Sequence, residues 1–352
     1  MLNPLVSILI PCYNSEQWIE QAIDSALNQT YKNIEIIVID DGSTDHSLEI
    51  IKSYGDRLIW QNSKNCGGNV TRNKLLKLSQ GKWLQYLDAD DYLLPDKIKR
   101  QIEFLTQNPG TDVVYSPVVL QHHNYIVEAT LNQRKQDSVS SALKVLNLEP
   151  PNAITQEILP IPQPHDPWIL LARWYLPQTG SCLWRKNSIT KVGGWKEKQA
   201  CCQEHELYFR LLKHQQKFSY FSIGGSVYRQ WSEETVCKQN KSETYRRRLE
   251  ITNTIERHLT ITNQLTKARQ DSINQARFEC ARIIWLTDKL WSKNIIRQIR
   301  QQDLEFIPTG NCAPLIYRLM YQFFGFRIAE TLAAVKRSVD VTNLSPVFLN
   351  GN

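Results

Sequence analysis

The sequence predicts an α/β fold: a parallel sheet with polar loops along one edge, followed by a helical C-terminal third. Three observations predict it. Short apolar runs at residues 6–10, 34–39, 58–61 and 83–87 alternate with helical patterns at 15–29, 47–54 and 71–79, which is the βαβ signature. Each run ends in polar or acidic residues, and these gather at the carboxyl edge of the sheet, where open α/β sheets bind ligands. From about Glu243 onward, apolar residues recur at helical spacing in a background rich in Gln, Asn, Arg and Lys.

The first run, Val6-Ser7-Ile8-Leu9-Ile10, reads as a buried strand, and Pro11-Cys12-Tyr13-Asn14-Ser15 as the turn after it. Ser15 is placed to N-cap a helix with Trp18, Ile19, Ala22, Ile23, Ala26 and Leu27 on one face. The second strand ends in Asp40-Asp41-Gly42-Ser43, either a turn with a cap or a reader of a nucleotide's base or ribose. Residues 65–69 form a glycine-containing loop. Arg72, on the helix beyond it, is either a surface charge or a guanidinium shaped for a diphosphate.

The stretch GKWLQYLDADDYLLP, residues 81–95, organises the rest. A short buried strand breaks into Asp88, Asp90 and Asp91. Three acids within four residues repel unless a cation joins them, and Mg2+ or Mn2+ prefers carboxylate oxygens. The plainer alternative is a solvated acidic turn with Asp96 capping the next helix. Beyond it, residues 113–120 read as a strand, and 121–164 as an irregular insertion with a helix at 140–148. Its histidines, His122 and His123, and the following His165 read as incidental. Residues 168–175 read as a helix, 178–185 as strand-like, Val192-Gly193-Gly194-Trp195 as a turn and 218–228 as a final strand. An amphipathic helix runs through 207–212, with Glu204-His205-Glu206 before it.

A length of 352 residues allows one large α/β domain with an appendage. The net charge of +7 is spread out with no dense Lys/Arg run, which argues against a nucleic-acid partner. Eight cysteines show neither C-x-x-C pairs nor zinc spacing. No signal segment or membrane-spanning apolar window is seen. Reduced thiols in a cytoplasmic protein are therefore expected.

Two stretches, VSILIPCYNSEQWIEQAIDSALNQTYKNIEIIVIDDGSTD and GGNVTRNKLLKLSQGKWLQYLDADDYLLPDK, resemble the nucleotide-binding half of family 2 glycosyltransferases, through about residue 110. The resemblance implies an inverting enzyme of the GT-A fold, with a Rossmann-like mixed sheet flanked by helices. Pro11 and Tyr13 would line the base, with Asn14 in the same turn. Asp41 would hydrogen-bond the base and Asp40 support its loop. Arg72 would contact base or diphosphate. Asp88 and Asp90 would form the D-x-D pair, with Asp90 or Asp91 on a Mg2+ or Mn2+ ion. The block around Gly193-Gly194-Trp195 is similar to the family's acceptor half, where such a turn precedes an acid that begins a helix and serves as catalytic base. The family usually has Asp there. The departure leaves the base open between Glu204, which matches that place and is favoured, and Glu206 on a different face of the helix; Trp195 and Glu206 are expected to bind substrate.

Some relatives add a metal-binding histidine near the end of the domain, where this chain has Arg229-Gln230-Trp231. The Q-x-x-R-W signature of processive synthases is also absent, which favours transfer of a single sugar. The expected domains are 1–240, divided into a nucleotide-sugar half (1–115) and an acceptor half (116–240), and a helical region at 241–352. The donor would be a UDP-, GDP- or dTDP-sugar. The acceptor would be a glycan, lipid-linked or other hydroxyl in cell-surface polysaccharide synthesis. Alternatives are a non-catalytic nucleotide-sugar-binding protein and a nucleotidyltransferase, which needs no acceptor-side base. Residues 315–335 set Phe323, Phe324 and Phe326 among Arg318, Arg327, Lys336 and Arg337. They read as a core helix or as one lying on a membrane surface, peripherally on the inner face of the plasma membrane.

Overall fold

The computed structural model describes residues 3–123, 154–231 and 240–339. The chain forms two units. One comprises Met1–Ile161, Pro177–Lys198 and Gln216–Thr235, and the other Pro162–Leu176, Gln199–Gln215 and Val236–Asn352.

In the first unit, β1 (Val6–Cys12) pairs in parallel with β2 (Ile34–Asp40) and β4 (Trp83–Tyr86), and β2 with β3 (Ile59–Asn62). Between them run α1 (Ile19–Leu27), α2 (Ser47–Ser53) and α3 (Gly68–Leu78). Ile8, Ile10 and Val38 share a core with Ile19, Ala22, Ile23 and Ala26 of α1. Ile98 and Ile102 of α4 (Lys97–Gln107) join it. Burying such apolar faces is the main drive for this packing. Register sets Cys12 opposite Asp40 and Leu9 opposite Tyr86, so the loops after three adjacent strands leave on one edge.

Three more strands make the sheet mixed, as the family resemblance implies and strand–helix alternation alone does not. They are β6 (Val113–Tyr115), β9 (Leu183–Arg185) and β10 (Phe218–Tyr220), in the order β10-β6-β9-β4-β1-β2-β3. β9 runs antiparallel to both β4 and β6, and α6 (Lys186–Lys191) follows it. A second sheet has the order β5-β11-β7-β8, from β5 (Tyr92–Leu93), β7 (Val118–His123), β8 (Ile154–Leu159) and β11 (Ser226–Gln230).

Three expectations are corrected here. Residues 113–120 and 218–228 each form two strands in different sheets. Pro117, which has no amide to donate, separates the first pair, and Gly224-Gly225 separates the second. A Cβ on Gly224 would lie 2.8 Å from Pro117 O, and one on Gly225 2.4 Å from Lys97 Cγ, so both breaks need their close approach. β8 is a strand within a stretch read as irregular. It is an edge strand with mostly exposed residues, so it lacks an apolar signature. Ser15 does not cap α1 with its side chain: its hydroxyl donates to Tyr13 O at 3.0 Å. The helix expected at 140–148 lies outside the described residues.

The second unit is helical throughout its described residues: α5 (Pro167–Ala172), α7 (Gln203–Lys213), α8 (Lys241–Ile261), α9 (Lys267–Ile284), α10 (Lys289–Gln302) and α11 (Leu315–Val339). The side chains of Asn240, Thr266 and Asp288 cap α8, α9 and α10. Phe278 meets Tyr321 edge-on at 5.7 Å, and Trp285 meets Phe326 at 5.5 Å. Buried charges are paired: Arg277 with Glu256 at 2.5 Å, and Arg282 with Glu330 at 2.7 Å. Gly325, at φ 75°, breaks α11. No helix among the described residues is long and apolar enough to cross a membrane.

Candidate functional site

The site grows from the loops that follow β1, β2 and β4. The Asp41 amide donates to Cys12 O at 2.8 Å and so joins the ends of β1 and β2. Asn14 then laces their loops together. Its amide donates to Ser43 Oγ at 2.9 Å, and its Oδ1 accepts from the Thr44 amide at 2.8 Å. Asn14 has φ 47°, a left-handed value that asparagine tolerates. Pro11 lies in β1 itself, opposite Ile39. Tyr13, between Cys12 and Asn14, is left 49% exposed.

Asp41 fixes the entry to α3. Its Oδ1 accepts from the Cys66 amide at 3.0 Å and its Oδ2 from the Gly67 amide at 2.9 Å. Asp40 is fully buried beneath it. Asp40 Oδ2 accepts from the Ser43 amide at 3.2 Å, while its buried Oδ1 has no partner among the described residues.

Arg72 of α3 donates to Asp88 Oδ1 at 2.8 Å, and its guanidinium stands 5.0 Å from the Trp195 ring centroid. Trp195 is only 2% exposed. Asn73 grips its backbone on both sides, at 2.8 Å and 2.9 Å. Gly194 precedes it at φ 71°, where a Cβ would lie 2.6 Å from Asn73 Oδ1. The indole thus supports Arg72 and offers little surface of its own to a ligand.

The three acids play separate parts. Asp88 is partly exposed and holds Arg72. Asp90 Oδ2 accepts from Trp231 Nε1 at 2.9 Å, and its carbonyl accepts from Arg229 NH1 at 2.6 Å. Asp91 is buried, its Oδ1 taken by the Arg229 amide at 2.9 Å and its Oδ2 by Gln178 Nε2 at 3.2 Å. The Arg229 guanidinium lies 4.6 Å from the Trp18 ring centroid and 4.8 Å from that of Tyr92. Burial, and then the charge of Asp88, raises the Asp90 carboxyl above its ordinary range. Burial, and then Asp90 and Asp88, raises Asp91 further.

This is a turn that gains from a cation, and its hard oxygen donors suit Mg2+ or Mn2+. No cluster of three or more His, Cys, Asp or Glu side chains poised for a metal occurs among the described residues. An ion here would draw its other oxygens from a ligand, as Mg2+ commonly does from phosphates. Asp90, with Asp88 beside it, fits that part. Asp91 does not, because both its oxygens already tie the turn to Arg229 and Gln178.

Glu204 and Glu206 stand in the first turn of α7, in the second unit. Arg210 chelates Glu206, with Nε at 2.9 Å and 3.0 Å from its two oxygens and NH2 at 2.7 Å. Both oxygens of Glu206 are thus engaged by one guanidinium. Between them His205 stacks on Trp174 at 3.8 Å. Burial, with the Arg248 charge adding to it, lowers His205 from 6.5 to about 3. The unfolded chain then binds a proton between these values that the folded chain does not. Stability is therefore full above about 6.5 and falls as pH drops toward 3, by up to about 1.4 kcal/mol per pH unit from this group. Urea unfolding of wild type and His205→Phe at pH 7.5 and 5 checks this. The variant keeps a stacking ring and is expected to lose less stability on acidification.

Residues 7–152 match the family described as Glycosyl transferase family 2. This stretch, less than half of the chain, is thus similar to family 2 glycosyltransferases. An uncharacterized glycosyltransferase of Haemophilus influenzae is 39% identical over 153 residues, 42% of this chain and 58% of that one. The Escherichia coli protein WfaP, named as a UDP-Glc:alpha-D-GlcNAc-diphosphoundecaprenol beta-1,3-glucosyltransferase, is 41% identical over 126 residues, 35% of this chain and 47% of that one. The chain thus matches about half the length of these relatives, 58% and 47%. The crystal structure of Staphylococcus aureus TarS 1-349 with UDP-GlcNAc superposes at a TM-score of 0.59 and 17% identity, over 95% of this chain and 92% of that one. At that identity the likeness is one of fold, the GT-A fold.

Within the first unit, Asn14, Asp41, Arg72, Asp88 and Asp90 lie in or beside the loops after β1, β2 and β4, and Trp195, from a turn read as part of the acceptor half, packs against Arg72. Arg229, Trp231 and Gln178 are additions. All three bond to the Asp90-Asp91 turn. Their only signal in the sequence was the Arg229-Gln230-Trp231 run after the last strand.

Proposed function

We propose that the protein is an inverting, non-processive glycosyltransferase of cell-surface glycan synthesis, using a nucleoside-diphosphate sugar with Mg2+ or Mn2+. The observation that carries this reading is the Asp88–Asp90 turn at the end of β4, with Arg72 paired to Asp88 and the β1 and β2 loops beside it. The name of WfaP supports a uridine donor and a lipid-linked acceptor. In this reading Tyr13 stacks on the base, and Asn14, Asp40 and Asp41 keep its loops in place. Arg72 binds diphosphate oxygens, oriented by Asp88 and Trp195. Asp90 holds the metal, with Asp91 bracing the turn. The bound ion would offset charge building on the diphosphate leaving group. Glu204 accepts the proton of the acceptor hydroxyl as that oxygen attacks the anomeric carbon, opposite the departing diphosphate. Glu206, held by Arg210, stays out of the proton transfer. A lipid-linked acceptor places the protein peripherally on the inner leaflet.

The test is a panel of UDP-, GDP- and dTDP-sugars incubated with Mn2+ and a lipid-linked glycan. Release of one nucleoside diphosphate and a product of inverted anomeric configuration, seen by NMR, are expected. Pyrophosphate release from a nucleoside triphosphate and a sugar phosphate would move the protein to the nucleotidyltransferases. Binding of a nucleotide sugar without turnover would make it a binding module.

A further inference from the structure

We infer that a basic groove in the second unit, between α10 and the break in α11, seats the phosphate headgroup of an anionic membrane lipid. The inference deepens the membrane part of the reading above and rests on it; it does not depend on the transfer chemistry. The groove has a volume of about 670 Å³ and is lined by Lys293, Arg297, Arg300 and Arg327, with Leu304 and Phe324 among its apolar walls. Lys293, Arg297 and Arg300 fall at i, i+4 and i+7 of α10, so one helix face carries all three. Like charges at that spacing repel. Among the described residues, none of the four forms an ion pair, although buried cations elsewhere in this unit do. No carboxylate lines the groove. Arg297 bonds Asn294, Arg300 the Tyr321 hydroxyl, and Lys293 lies over the Trp285 ring, all neutral groups, so an anion would supply the countercharge.

Gly325 shapes the floor. Its φ of 75° ends the first segment of α11, and a Cβ there would come 3.5 Å from Arg300 NH2. The second segment begins within the groove, where the positive end of its dipole adds to the cations.

The apolar rim selects the source of the anion. Leu304 is 88% exposed, and Phe323, beside Phe324 at 6.5 Å, is 77% exposed. Further along α11, Ile316, Leu319, Ile328 and Leu332 are exposed too, while Tyr317, Tyr321, Phe326 and Ala329 face the core. A soluble phosphate has no use for that rim. A second copy of the chain in a two-fold contact would bring the same four cations against their own kind. A bilayer offers phosphates to the groove and an acyl boundary to the phenylalanines.

Sedimentation of the full chain tests this, using phosphatidylcholine vesicles with and without a third of phosphatidylglycerol. Wild type is expected to pellet with the anionic vesicles at low salt and to be released at high salt. The double variant Arg297→Glu/Arg327→Glu alters two exposed side chains and leaves Arg300 on the buried Tyr321 hydroxyl. It is expected to lose at least about tenfold in vesicle affinity with an unchanged circular dichroism melt. Phe324→Ser should weaken binding at constant charge. Undiminished vesicle binding by the double variant overturns the groove while leaving the membrane reading standing. No binding of wild type to anionic vesicles overturns both. If vesicles do not bind, and pyrophosphate raises the melting temperature of wild type more than that of the double variant, the groove takes a soluble anion and the lipid assignment fails. A dimer that Phe324→Ser converts to monomer, seen by light scattering, would assign the face to self-association instead.

Discussion

Asp90→Asn is expected to lower turnover about 100- to 1000-fold with little change in melting temperature. Asparagine keeps an oxygen for the Trp231 indole, so the turn is held. The charge that would hold the cation is gone, and diphosphate departure loses its counter-charge. Asp91→Ala gives the contrasting result. It strips the partners from the buried Arg229 amide and from Gln178, at about 1–3 kcal/mol for each buried group left unsatisfied. Its first symptom is a lower melting temperature rather than an altered Mn2+ requirement. Measuring initial rates against Mn2+ concentration, alongside thermal melts, separates the two acids. A stable Asp91→Ala protein with no Mn2+ response, beside a normal Asp90→Asn enzyme, would exchange their roles.

Glu204→Gln is expected to reduce turnover on the order of 100-fold while leaving donor affinity intact, as loss of a positioned base does. Glu206→Gln releases Arg210 and is expected to act on the stability of α7, with a much smaller effect on rate. Near-normal turnover in Glu204→Gln together with an inactive, folded Glu206→Gln would move the base to Glu206.

The strands that carry the site were legible because each is a largely apolar run that ends in polar residues, β1 in Tyr13-Asn14, or in acids, β2 in Asp40-Asp41 and β4 in Asp88. The pairing of Arg72 with Asp88 was not legible: Arg72 stands on α3, after β3, and β1 and β2 lie between β3 and β4 in the sheet. What braces the site was not legible either. Arg229 and Trp231 meet the Asp90-Asp91 turn across a sequence separation of 138 to 141 residues, through a second sheet that the pattern did not separate from the first. Residues 113–120 and 218–228 look continuous in hydrophobicity, and only Pro117 and Gly224-Gly225 mark where the chain changes sheets. The role of Trp195 was also hidden, because an aromatic after a glycine turn reads equally as ligand wall or as buried support. In the second unit, Arg277, Arg282 and Glu330 look like surface charges until their pairing inside the core is seen.

The central claim is that the first unit binds a nucleoside diphosphate through a cation held at Asp90. Calorimetric titration of UDP into the full chain, in Mn2+ and in EDTA, with wild type and Asp90→Asn, tests it most directly. The account predicts that UDP binds wild type in Mn2+, weakens by about tenfold or more in EDTA, and binds Asp90→Asn with the same low affinity in both. Equal affinity of wild type in Mn2+ and EDTA, or full Mn2+ enhancement in Asp90→Asn, would contradict it.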